Sequence, residues 1–278
     1  MRLGISFAYP HTSPTEWAEQ LRGMGLGACV FPVDHTAPDA LIDGYKKAAK
    51  DYDIVIAEVG AWKNLLDPNP EAQKANYDYV KNQLMLADYL EAKCCVDISG
   101  ACGEVWDGGY AENYSNATFD KVVTTAKKLI EEAGVKHTSF TLEPMPWMLP
   151  WSAESYLELL NAVDSPYFGV HMDAINLMNS PARYFFCKEF LMDLFHKLSG
   201  KIKSVHVKDV ALQRTLTLHL KEVPIGEGGF DVAAYARLTE AESPDMPFII
   251  EHLAEAEAYT KAVAAVKKIL AAEGIALR

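Results

Sequence analysis

Eight short apolar runs, each followed by a longer amphipathic stretch, recur along the whole chain. This alternation constrains the fold more than any other feature of the sequence. The runs cover residues 2–6, 28–32, 54–59, 94–98, 139–143, 168–172, 204–207 and 248–251, with Val, Ile, Phe, Leu and Cys at their centres. Such composition suits strands buried on both faces. Helix signals fill the gaps. Ser13 precedes Pro14 with Glu16 three residues on, a start signal. Ala75, Tyr79, Leu84, Leu86 and Leu90 fall at near-helical spacing within 71–90. Asn116 is the expected cap of a helix over 116–132 that stops at Gly134. Ser152 and Ser180-Pro181 open two more, and 254–272 reads as the last. Strand then helix, eight times, implies parallel strands joined by right-handed crossovers, and eight such units close a barrel. The expectation is one α/β domain over residues 1–278, a single (β/α)8 TIM barrel. A doubly wound open sheet is the alternative with the same alternation.

Charge and cysteine usage narrow the function classes. Thirty-eight Asp plus Glu against 26 Lys plus Arg give a net charge of −12, a field that repels polyanions, so nucleic acid is not an expected partner. Five cysteines, an odd number that includes the adjacent Cys94 and Cys95, make no disulfide framework and read as reduced core thiols in a cytoplasmic protein. The first apolar run soon meets Pro10 and His11, and no run approaches the ~18 apolar residues a membrane span needs. A membrane partner is therefore not expected either. Two longer non-periodic stretches, 100–115 and 210–229, both follow strands, where a barrel builds the walls of its site.

Four residues that can ligate a metal stand where the last four strand runs give out: Glu143, Asp173, His206 and Glu251. On successive strands of one barrel they converge on one mouth. Three carboxylates and one imidazole favour Mn²⁺, with Mg²⁺, Co²⁺ or Zn²⁺ tolerable, and clustered carboxylates repel one another unless a cation sits between them.

The segments Leu142-Glu143-Pro144, His171-Met172-Asp173, Val205-His206-Val207-Lys208-Asp209, Gly226-Glu227-Gly228-Gly229-Phe230-Asp231 and Ile250-Glu251-His252 together resemble the xylose isomerase-like barrels. These are the sugar isomerases and epimerases whose superfamily also includes endonuclease IV. The resemblance implies one divalent ion held by Glu143, Asp173, His206 and Glu251, with Glu143 and Glu251 doubling as base and acid on a small sugar substrate. Ketose 3-epimerases of the family carry a further glutamate six residues after the first ligand and a histidine three residues after the aspartate. Here those places hold Leu149 (or its neighbour Met148) and Asn176. A neighbouring branch, the lyases that split 3-oxo-glycosides, has a histidine where this chain has Met145. The primary expectation is thus a metal-dependent sugar isomerase or epimerase that abstracts a proton next to a polarised carbonyl, and the alternative is a metal-dependent lyase on 3-oxo-glycosides. An endonuclease would need a trinuclear zinc site and a basic face, against which the charge and only eight histidines count.

Further candidates surround this core. Lys208 and Asp209 would contact substrate hydroxyls, or pair with each other in the loop. Glu58, Trp62 and Asn64 at the third strand's end would do the same, and Asn176 stands in a substrate position. His171 shares a face with Asp173 one layer deeper and would orient a ligand or touch substrate, whereas His252, by strand alternation after Glu251, would face the helices. Arg183 would reach an anion or sit solvated in a first helical turn. Residues 144–151, with Trp147 and Trp151, would form an apolar wall for a sugar face or an aglycone. The 226–229 glycine segment reads as a turn, since no strand run precedes it and it lacks a Gly-Lys-Ser/Thr ending. A homo-oligomer, or a small partner subunit over the mouth, is compatible with the sequence.

Overall fold

The computed structural model describes every residue from Met1 to Arg278. Eight parallel strands close on themselves: β1 (Arg2–Ile5), β2 (Ala28–Val30), β3 (Val55–Gly60), β4 (Cys94–Asp97), β5 (Ser139–Leu142), β6 (Phe168–Met172), β7 (Ile202–Val207) and, after an inserted hairpin, β10 (Pro247–Ile250). β1 pairs in parallel with both β10 and β2, which closes the circle in the order β1-β10-β7-β6-β5-β4-β3-β2. Every one of the eight apolar runs is a barrel strand, and the open-sheet alternative is excluded. Helices α1 (Pro14–Gly23), α2 (Asp39–Asp51), α3 (Pro70–Leu90), α4 (Asn116–Ala133), α5 (Ala153–Val163), α6 (Pro181–Phe185), α7 (Cys187–Leu198), α8 (Val232–Glu242) and α9 (Ala256–Ala272) lie between the strands.

Local chemistry explains most of the helix limits. The Ser13 hydroxyl accepts the Glu16 N–H at the start of α1, and Gly134 ends α4 at φ 63°, where a residue without Cβ is unstrained. The α4 cap itself is Ser115, whose side chain accepts the Thr118 N–H; Asn116 is already the first helical residue. The helix expected after Ser180 is broken at Phe186 into α6 and α7.

Two buried tyrosines fix the strand ends that matter for function. From α5, Tyr156 donates to the Leu142 carbonyl at 2.6 Å and accepts the His171 N–H at 3.0 Å. From α8, Tyr235 donates to the Met172 carbonyl at 3.0 Å. Cys94 and Cys95 point to opposite sides of β4: Cys94 lies close to Glu58 inside the barrel, and Cys95 belongs to the core packed against the helices.

The stretch 210–229, expected to be irregular, holds an antiparallel hairpin. β8 (Asp209–Gln213) pairs with β9 (His219–Val223) in the register Asp209↔Val223, Val210↔Glu222. The glycine segment therefore does follow a strand. Its backbone N–H groups are nevertheless occupied from within, because the Asp209 carboxylate accepts from Gly226 (2.9 Å), Gly228 (3.0 Å), Phe230 (3.1 Å) and Val210 (2.8 Å). A Cβ on Gly228 would lie 2.1 Å from Asp209 Oδ1, so only glycine admits this approach. Such a nest ordinarily takes an anion, and here the anion is the chain's own side chain. Asp209 thus faces the turn and not the barrel mouth, contrary to the substrate contact expected of it.

Candidate metal centre

Glu143 follows β5, Asp173 follows β6, His206 is the penultimate residue of β7, and Glu251 follows β10. One ligand atom from each lies within 4.8 Å of the others, and all four side chains are buried. His206 Nδ1 is 2.7 Å from Glu251 Oε2 and 3.7 Å from Glu143 Oε1. Asp173 Oδ1 accepts the N–H groups of Ile175 (2.9 Å) and Asn176 (3.0 Å), while the Asn176 amide donates to Glu143 Oε1 at 2.9 Å. Asn176 therefore steadies two of the four residues, where the sequence placed it against substrate.

Underneath lies a second polar layer. Glu58 sits within β3, fully buried and not at the mouth, and both its oxygens are engaged: Oε1 by His171 Nε2 at 3.1 Å and by the Ser204 hydroxyl, Oε2 by His206 Nε2 at 3.0 Å. The two imidazoles meet edge to face at 4.1 Å. Burial works to raise the Glu58 carboxyl, and the His206 and His171 rings override it, holding it well below the carboxylate range. With Nε2 committed to Glu58, His206 can only present Nδ1 to the cluster.

These residues fit a divalent cation. His206 Nδ1 and Asp173 Oδ2 are buried and aimed into one cluster without a well-directed hydrogen bond, and each meets a charged neighbour at 2.7 Å, Glu251 and Lys208 respectively. Burial, with Glu143 and Glu251 alongside, pushes the Asp173 carboxyl up to about 7 although Lys208 opposes it, as expected when like charges crowd one site. The buried ammonium of Lys208 lies 2.7 Å from Asp173 Oδ2 and 2.6 Å from Glu251 Oε1. Lys208 thus pairs with the cluster itself and not with Asp209.

The mouth above is built by loops. His252 was expected to face the helices, but its backbone turns to φ 58°, which breaks the strand alternation and brings the ring over the site. Its Nδ1 is 3.2 Å from Glu222 on β9 and 3.3 Å from Lys208, and the ring is half-exposed. The Glu222 hydrogen bond raises the His252 pKa above its ordinary value. Neither Glu222 nor this position of His252 was legible in the sequence, since both depend on the hairpin and on a left-handed backbone residue. Trp62, also at positive φ, stands 38 % exposed beyond β3 against Gly60, where a Cβ would meet its Nε1 at 2.3 Å. Asn64 is buried and holds Leu66 and Ala101 by its side-chain oxygen, a structural role. Within the apolar wall, Trp147 is exposed and donates to the Asp107 carbonyl at 2.7 Å, whereas Met148 and Leu149 are buried and Trp151 packs on Tyr114. Arg183 donates to the Leu177 carbonyl and Asn179 and lies over the Phe190 ring, so it is not an anion anchor.

Residues 18–269 match the family model described as xylose isomerase-like TIM barrel. No match was found among curated proteins. Among solved structures, a xylose isomerase-like TIM barrel protein from Mycobacterium smegmatis in complex with magnesium superposes with a TM-score of 0.69 at 14% identity, covering 98% of this chain and 96% of that one. A 3-keto-D-glucoside 4-epimerase from E. coli gives 0.71 at 15% identity, with 96% and 99% covered. Endonuclease IV from Thermus thermophilus gives 0.73 at 16%, with 98% and 100% covered. At these identities the likeness is one of fold.

Proposed function

Because the chain belongs to the xylose isomerase-like TIM barrel family, we propose that it is a divalent-metal-dependent isomerase or epimerase of a small sugar or keto-sugar. The observation that carries this reading is the convergence of one ligand atom each from Glu143, Asp173, His206 and Glu251, all buried, within 4.8 Å of one another. These four residues would hold the ion, and their hard donors favour Mn²⁺ or Mg²⁺ over soft-ligand metals. A bound ion of this kind supplies Lewis-acid polarisation of a substrate carbonyl, which lowers the cost of removing the adjacent proton. The rest falls to the protein. Glu143 and Glu251 flank His206 and offer the carboxylates that take and return that proton. Asn176 and Lys208 fix their orientations, and Trp62 and Trp147 offer exposed flat faces for a sugar ring.

A second reading, a lyase acting on 3-oxo-glycosides, is supported by His252. Hydrogen-bonded to Glu222 beside the cluster, it is a base outside the ligand set, which the family's lyase branch requires and Met145 does not supply.

Solvent exchange separates the two. Incubated in D₂O with free ketoses and 3-oxo-glycosides, the metal-loaded protein is expected to incorporate deuterium without releasing an aglycone; release would favour the lyase. Glu143→Gln and Glu251→Gln should each slow exchange by about 10²–10⁴-fold, the usual worth of a positioned acid or base. Metal analysis of protein purified without chelator should find one ion per chain, lost in His206→Ala. A metal-free protein, or exchange untouched by these changes, would refute the reading.

A further inference from the structure

We infer that the substrate is uncharged, neither phosphorylated nor carboxylated. This rests on the proposed function for the location of the site and deepens it by naming the class of sugar.

The loops that leave the C-terminal ends of the eight barrel strands carry thirteen Asp and Glu against four Lys and Arg. Most of the chain's net charge of −12 is therefore concentrated on the face where substrate enters. At the centre, three of these carboxylates are balanced by a divalent ion together with Lys208, and Glu58 beneath them adds one negative charge. Glu222, one of the thirteen, stands at the rim.

Each of the four cations has a position that keeps it from serving as an anion anchor. Lys208 is almost wholly buried between Asp173 and Glu251. Lys63 turns away, with Nζ 4.6 Å from the centre of the Tyr79 ring on α3. Arg214 stands at the hairpin tip in a separate cavity lined by Tyr184, Phe185 and Leu216. Lys221 neighbours Glu222 on β9 and so projects from the opposite face of the hairpin. What the mouth does offer is half-exposed indole: Trp62 and Trp147, at about two-fifths exposure each. Aromatic faces with acceptor-rich carboxylates suit a polyol, whose hydroxyls donate and whose C–H face stacks. A phosphate or carboxylate would enter a field of several kT with no free Lys or Arg to meet it, and the His252 ring is already engaged by Glu222 at 3.2 Å.

The test reads the field directly, through collisional quenching of the exposed tryptophans. Trp62, Trp106 and Trp147 all lie on these loops, and Trp17 is buried. At ~10 mM ionic strength, where screening extends over ~30 Å, iodide should quench about threefold less well than neutral acrylamide, each scaled to free tryptophan amide. That deficit should vanish near ~1 M salt, where the screening length falls to ~3 Å. The result should hold with EDTA and with saturating Mg²⁺, and Glu222→Lys should raise iodide access. Iodide quenching as effective as that of acrylamide at low salt would overturn the inference. Because quenching needs neither metal nor turnover, it stands even if the exchange panel finds no active sugar and the proposed function fails. Where the panel does find one, its phosphorylated or carboxylated counterpart should lose about a hundredfold or more in kcat/KM. A charged counterpart preferred over the neutral sugar would also overturn the inference.

Discussion

At the scale of single residues, Glu58 shows how a side chain that touches no substrate can decide what the site does. Its two oxygens engage His171, Ser204 and His206, so His206 is held with Nε2 toward Glu58 and Nδ1 turned to the cluster. Glu58→Gln keeps the shape but replaces one acceptor with a donor, and an amide N–H facing an imidazole N–H must displace one ring or reverse its tautomer. We expect metal affinity, measured by calorimetric titration, to fall about 10- to 100-fold, the usual cost of losing such a ligand-orienting partner. Unfolding free energy should fall by about 1–3 kcal/mol from the unsatisfied buried donor. Unchanged affinity would mean that His206 orients itself. In the sequence Glu58 looked like a mouth residue, because the apolar run around it does not reveal how deep in the barrel each position lies. His252 was misplaced for a related reason: alternation assumes extended backbone, and φ 58° breaks it.

At the scale of elements, the eight barrel strands were legible because a strand covered on both faces must be apolar throughout, and few other structures in a soluble chain impose that pattern. The hairpin was not legible. Its residues 213–219 are exposed, and its ladder places polar Gln213, His219 and Glu222 among apolar Val210 and Leu212, a mixture no single buried face dictates. The connection from α3 to β5 is similarly hidden in sequence and simple in structure. Asp88, near the end of α3, accepts the consecutive N–H groups of Lys136, His137 and Thr138 at 2.7, 2.6 and 3.1 Å. Burial works to raise its pKa, and these three donors prevail and lower it. A carboxyl depressed by folding stabilises the native state above its unfolded pKa and loses that contribution as pH falls through the folded one. Asp88→Asn should therefore cost about 1–2 kcal/mol at pH 7 in urea unfolding, with the difference from wild type shrinking below about pH 4 as the wild-type carboxyl protonates. A difference that stays constant from pH 7 to pH 3 would show that the ionised form is not what matters.

At the scale of the whole molecule, the centre joins strands β3, β5, β6, β7 and β10, so whatever balances its charge also steadies the ends of these five strands. Without an ion, that balance falls to Lys208, whose ammonium touches Asp173 and Glu251 from the end of β7, and to His206, whose pKa burial works to lower but Glu251, Glu58 and Glu143 raise well above its ordinary value. Removing one partner of a buried charge group leaves the others uncompensated and typically costs about 3–5 kcal/mol. Lys208→Met should accordingly destabilise the EDTA-treated protein by about that much. A divalent ion supplies the same compensation from within the cluster, and binding at a hundredfold excess over Kd adds about 2.7 kcal/mol to the native state. Wild type should thus melt roughly 5–10 °C higher in Mg²⁺ or Mn²⁺ than in EDTA, taking about 2–4 °C per kcal/mol for a chain of this size. The variant should show the larger metal-dependent rise of the two, since the ion replaces what the lysine supplied. Equal rises would separate Lys208 from the charge balance of the centre, and no rise in either protein would remove the ion from that balance.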